Sequence, residues 1–128
     1  MAVKLVIVDD APFIREVLRH IFAGTEIEVV GEARDGVEAI EITRKAAPDV
    51  ILMDIVMPRK SGIEATVEIM KEFPSTKVIA CSTADQNHMV MRALEAGCCN
   101  YIAKPFQSKD VVEAVRAAAR LNAKEADV

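Results

Sequence analysis

The chain has 128 residues, 52% hydrophobic and 28% charged, a balance that suits one compact domain with a real core and excludes a disordered segment. Its net charge of −4 comes without a basic cluster, so the electrostatic footprint of a nucleic-acid binder is missing. No apolar run is long enough to cross a bilayer, and Met1 leads straight into a strand-like run without a leader pattern, so the expectation is a cytoplasmic protein without membrane insertion.

Short β-like runs alternate with segments of helical period. Val3 to Val8 contains an unbroken apolar run, which reads as a strand buried on both faces, and it ends in Asp9 and Asp10. Next, Phe13, Val17, Ile21 and Ile14, Leu18, Phe22 form two i/i+4 rows, predicting one broad apolar helix face. Val29 to Ala33 precedes "RDGVEAIEITRK", where Asp35 can cap and Glu38 can bond back. "DVILMD" precedes the S-x-x-E start Ser61-Gly62-Ile63-Glu64, with Ile63, Val67 and Met70 predicted on one face. "KVIAC" precedes a predicted helix over Gln86 to Ala96, and "NYIA" precedes another over Ser108 to Asn122. Five strands and five helices in strict alternation imply an α/β fold, a parallel sheet with helices on both faces. The doubly wound order 2-1-3-4-5 puts the three strongest apolar runs in the centre. Cys81, Cys98 and Cys99 offer no even disulfide framework and are expected to be reduced.

In such a sheet ligands bind beyond the carboxyl ends of the strands, where strand order reverses. Those ends carry Asp9 and Asp10 after the first strand, Asp54 after the third, Ser82 and Thr83 after the fourth, and Lys104 after the fifth. Two carboxylates about 5 Å apart repel by roughly 3 kcal/mol at an effective dielectric of about 20. A divalent cation removes that repulsion, and all-oxygen ligands with room for water suit Mg²⁺. Asp9 and Asp10 then read as a metal seat and Asp54 as the nucleophile of a phosphoryl transfer. Lys104 would neutralise the equatorial oxygens, and Ser82 would bond the transferred group. The bland alternative is that each aspartate is a helix cap, with Asp10 before Ala11-Pro12 the clearest case.

The blocks "LVIVDD", "DVILMDIVMPRKSG", "VIACSTAD" and "YIAKPF" together resemble the receiver domains of two-component response regulators, most closely the stand-alone chemotaxis type. The resemblance runs over nearly the whole chain and implies a flavodoxin-like fold with residues 1–128 as a single receiver domain. It implies Mg²⁺ as cofactor, held by Asp9, Asp10, Asp54 and the backbone carbonyl of Val56, and Asp54 as phosphoacceptor. The donor would be a histidine kinase or a small acyl phosphate. Ser82 and Lys104 are similar in place to the family's phosphate-sensing pair, Tyr101 to its switch aromatic, and Pro105 would follow a cis bond. Thr83 is the competing hydroxyl, but Ser82 fits the spacing to Gly97 and Lys104. Val56 and Ala84 sit where the family tunes phosphoryl lifetime, and apolar residues there predict a long-lived phosphoryl state.

The chain is thus expected to be a monomeric phosphoacceptor switch rather than an enzyme, one that assists its own phosphorylation and dephosphorylation. The partner would be a downstream protein such as a flagellar motor switch component. The expected partner face is Met89, Val90 and Tyr101, with Met91 and Leu94 turned inward. Three alternatives remain: a receiver piece of a larger regulator, a phosphatase that forms an aspartyl phosphate, and a flavodoxin-like FMN binder. "DDAPFI" lacks the D-x-D of the second and the hydroxyl- and glycine-rich phosphate loop of the third.

Overall fold

The computed structural model describes residues 2–126. Its elements run β1 (Val3–Val8), α1 (Pro12–Phe22), β2 (Ile27–Ala33), α2 (Gly36–Ala46), β3 (Val50–Asp54), α3 (Gly62–Glu72), β4 (Lys77–Ser82), a 3₁₀ turn (Ala84–Met89), α4 (Val90–Ala96), β5 (Asn100–Ala103) and α5 (Ser108–Ala126). The strands form one sheet in the order β2-β1-β3-β4-β5, every neighbouring pair parallel. This is the doubly wound α/β, flavodoxin-like architecture expected from the alternation.

Alternation along β1 divides the core in two. Val6 and Val8 face a cluster with Ala39 and Ile40 of α2, Ala65 and Ile69 of α3 and Ala93 of α4, whereas Leu5 and Ile7 face Leu18 and Phe22 of α1 and Val111 and Val115 of α5. Burying each such aliphatic side chain contributes roughly 1.5–3 kcal/mol, so the central strands are the anchor from which the strand-end loops are hung. The β1–β2 register slips between Leu5 and Val6, and Gly31 fits there because a Cβ would stand 2.6 Å from Ile42 Cγ1.

Several local expectations shift. β2 starts earlier, at Ile27. Phe13 is 75% exposed and Val67 is exposed too, so the inner faces of α1 and α3 are narrower than their apolar rows. On α3 the buried line is Gly62, Ala65, Thr66 and Ile69, because small residues let the helix approach the sheet closely. The helix expected from Gln86 begins only at Val90. Ahead of it Thr83 and Gln86 make a reciprocal capping box that closes a tighter 3₁₀ turn, and the change of pitch rotates the faces of α4. Met89 packs on the core and Ala93 is buried, while Met91 is 64% exposed and Leu94 lies on the exposed side with it. The inward placement of Met91 and Leu94 is therefore reversed.

Candidate functional site

The carboxyl ends of β1, β3, β4 and β5 open on one crevice. Asp9, directly after β1, is 2% exposed; its amide donates to the Ala33 carbonyl at 3.0 Å and its Oδ1 accepts from the Ala11 amide at 2.9 Å. Asp9, not Asp10, thus supports the start of α1, and Asp10 is exposed. Asp54 ends β3 and is 4% exposed. Carboxylate oxygens of Asp9, Asp10 and Asp54 lie within 4.8 Å of one another, the spacing at which a single cation can be shared.

Lys104 enters from the end of β5. Its amide donates to the Ser82 carbonyl at 2.7 Å, and the peptide bond to Pro105 is cis. Nζ lies 2.9 Å from Asp9 Oδ2 and 3.3 Å from Asp54 Oδ1. Burial alone would lower the pKa of this ammonium, but the Asp9 hydrogen bond and the Asp54 charge hold it above its ordinary value. Burial lifts the Asp54 carboxyl to about 6, with Asp9 and Asp10 adding to the rise and Lys104 opposing it. A carboxylate crowded by two more carboxylates is an unstable arrangement that a divalent cation would relieve. The donor set, all oxygen and hard, fits Mg²⁺ better than a thiophilic metal.

Ser82 ends β4, 1% exposed, one register step beyond the Asp54–Cys81 pair and opposite Ala103. Thr83, by contrast, turns its hydroxyl to Asp85 and caps the 3₁₀ turn. Tyr101 is 47% exposed on β5, and Val56, also 47% exposed, sits in the turn after β3. Met89 and Val90 are half-buried. The fold therefore brings Asp9, Asp10, Asp54, Lys104 and Ser82 to one crevice and leaves Met89, Val90 and Tyr101 at its α4–β5 flank.

Two supports escape a reading of the sequence. Arg15 donates from Nη1 to the Asp9 carbonyl at 2.6 Å and from Nε to Glu32 at 2.8 Å, bracing the β1 end against β2. Its polar position inside the apolar rows of α1 is the one available signal. Gly62 is legible only as part of a capping start; in the fold a Cβ there would fall 1.9 Å from the Asp54 carbonyl oxygen. No other residue type lets α3 come so close to the end of β3.

The comparisons with known proteins agree with this geometry. A family profile described as the response regulator receiver domain matches residues 5–116. The chemotaxis protein CheY of Thermotoga maritima is 46% identical over 115 residues, 90% of this chain and 96% of that protein. CheY of Listeria monocytogenes is 44% identical over 117 residues, 91% and 98% of the two chains. The crystal structure of the response regulator domain of Thermotoga maritima CheB superposes with a TM-score of 0.86 at 36% identity, covering 94% of this chain and 98% of that one. The acidic crevice, the buried strand-end aspartate and the lysine beside it thus stand in a chain that belongs to the response regulator receiver domain family, as a CheY-like response regulator of two-component systems.

Proposed function

We propose that this chain is a phosphorylation-dependent switch whose acceptor is Asp54. The observation that carries the reading is a buried carboxylate at the end of the central strand, 3.3 Å from Lys104 and clustered with Asp9 and Asp10. A carboxylate oxygen of Asp54 attacks the phosphorus of a phosphohistidine on a histidine kinase, or of a small acyl phosphate. The P–O bond to Asp54 forms as the bond to the donor breaks, and the donor leaves with its electron pair. Asp9, Asp10, Asp54 and the Val56 carbonyl would hold Mg²⁺, which when bound supplies positive charge to the phosphoryl oxygens. Lys104 adds a point charge on the other side, and Ser82 donates its hydroxyl to the group once transferred.

Movement of Ser82 toward that group frees space at β4, into which the Tyr101 ring can turn. The switch then reads out as a protein contact at the α4–β5 flank, around Met89, Val90 and Tyr101 with Met91 now included. The partner class is a downstream signalling protein; the relatives named as chemotaxis proteins favour chemotaxis, and a flagellar motor switch component would then be the target. Val56 and Ala84 are both exposed and neither can orient an attacking water, which favours a long-lived phosphoryl state. Cys81, Cys98 and Cys99 form no disulfide among the described residues, which fits the reducing cytoplasm.

Mass spectrometry after acetyl phosphate treatment tests the assignment. One phosphoryl group on Asp54 in Mg²⁺, and none in EDTA or in Asp54→Asn, is the expected result. A full mass gain in either control would refute it.

A further inference from the structure

The turn between β3 and α3, residues 55–61, passes beside Asp54 and carries Val56, yet Val56, Pro58 and Arg59 reach out to the surface, with Val56 and Arg59 exposed. Its hold comes from another element. Asp35, the N-cap of α2, is 2% exposed; its Oδ1 accepts from the Glu38 amide at 2.9 Å, and its Oδ2 accepts from Arg59 Nε at 2.7 Å and Nη2 at 2.6 Å. One residue on, the Gly36 amide donates to the Lys60 carbonyl at 2.9 Å, and a Cβ at Gly36 would stand 2.6 Å from that oxygen. On the far side the Gly62 amide closes the turn onto the Ile55 carbonyl at 2.9 Å.

Arg59 itself has φ 65, a left-handed conformation that a long side chain keeps only when its surroundings impose it. Glycine would suit that backbone better, but glycine has no guanidinium to place on Asp35. The position thus trades local ease for a charged fork onto a buried carboxylate.

We propose that Arg59 is a positioning residue for cation binding in the crevice: paired with Asp35, it sets the β3–α3 turn that bears Val56 before any cation arrives. The inference rests on the reading of the crevice as a Mg²⁺-dependent phosphorylation site. It assigns to the α2 N-terminus, outside the crevice, a share in that site's cation affinity.

Three variants test it: Arg59→Gly, Arg59→Lys and Asp35→Asn, the last keeping an N-cap while removing the charge that Arg59 meets. The readouts are the Mg²⁺ dissociation constant by calorimetry, the melting temperature, and amide exchange at Gly36 and Gly62 in Mg²⁺-free protein. Arg59→Gly should melt somewhat lower than wild type, because the Asp35 carboxylate loses its cation even as the left-handed backbone is relieved. It should also exchange both amides faster and bind Mg²⁺ about tenfold more weakly, the size of effect expected when a group that orients a ligand is lost. Asp35→Asn should weaken Mg²⁺ binding in the same direction, and Arg59→Lys should recover part of the affinity. Wild-type Mg²⁺ affinity and amide protection in Arg59→Gly would overturn the inference. The metal and exchange readouts do not depend on phosphorylation, so a wild-type chain that never gains a phosphoryl group on Asp54 refutes the function proposed above while an Arg59-dependent Mg²⁺ affinity still supports the brace.

Discussion

Two buried carboxylates, Asp35 at the start of α2 and Asp54 at the end of β3, are almost equally shut from water and yet pushed in opposite directions. Burial alone would raise both. At Asp35 the Glu38 amide and the Arg59 guanidinium outweigh it and hold the carboxyl below its usual range. At Asp54 the nearest cation stands at 3.3 Å, two further carboxylates crowd the space, and the carboxyl is lifted to about 6. The difference separates a group whose partners are all built into the protein from one whose environment is completed only by something that arrives. On the readings proposed above, the first holds a turn in place and the second is the group that reacts.

The comparison can be broken by substitution, and the largest effect is expected at the joint between the two regions. Gly62→Ala forces a Cβ to within 1.9 Å of the Asp54 carbonyl oxygen, so α3 must move off the end of β3. A loss of about 3 kcal/mol in urea unfolding, the upper end of the usual cost of overpacking, is expected, together with slower phosphorylation. Asp35→Ala removes a cap and leaves Arg59 without its anion, at a cost of about 2 kcal/mol. If Asp35→Ala were neutral, the brace would be ornamental and the contrast would fall.

Asp54→Asn should move stability the other way. A carboxyl with its folded pKa raised from 3.8 to about 6 contributes stability that is full below the lower value and is lost as pH rises through the upper one. In Mg²⁺-free buffer at pH 8 the Asn variant is therefore expected to be more stable than wild type by about 2 kcal/mol, allowing for solvent screening, and the gain should vanish by pH 4. Asp35, with its folded pKa depressed, contributes stability present at neutral pH that is lost as pH falls below its ordinary value. Wild-type melts from pH 8 to pH 3, set beside both Asn variants, separate the two. Equal slopes in Asp35→Asn and Asp54→Asn would erase the distinction.

The smallest effect is expected at the α4 flank. Met91 is 64% exposed, so Met91→Lys should change stability by less than about 0.5 kcal/mol and leave Asp54 phosphorylation intact. It should nevertheless weaken the phosphorylation-dependent partner contact. Unchanged partner binding in Met91→Lys would move the output face elsewhere.

Much of the fold and of the crevice is legible in the sequence because both rest on short-range pattern. Apolar runs closed by aspartates mark strands that end at a crevice, and Ser61 with Glu64 forms the reciprocal cap its spacing predicts. Asp35 caps α2 as expected, but Glu38 turns back to the Arg34 amide and guanidinium instead of the cap residue, a choice of acceptor that spacing does not decide. Apolar periodicity misplaces the phase of α4 because it assumes a constant pitch, and the 3₁₀ turn from Ala84 to Met89 breaks it. The Asp35–Arg59 pair is invisible for a different reason: nothing local links residues that only the packing of α2 beside α3 brings into contact.

The place of Lys104 between Asp9 and Asp54 also fixes a stoichiometry of charge. With Asp9, Asp10 and Asp54 ionised, one ammonium leaves the crevice two negative charges in excess, and a divalent ion cancels that excess in full. On the function proposed above, a monovalent ion would leave a surplus that repels an incoming phosphoryl group, and a trivalent one would leave the crevice with an excess positive charge. If the crevice holds a cation as proposed above, selection there would act through valence as well as radius, and the lysine would set the valence.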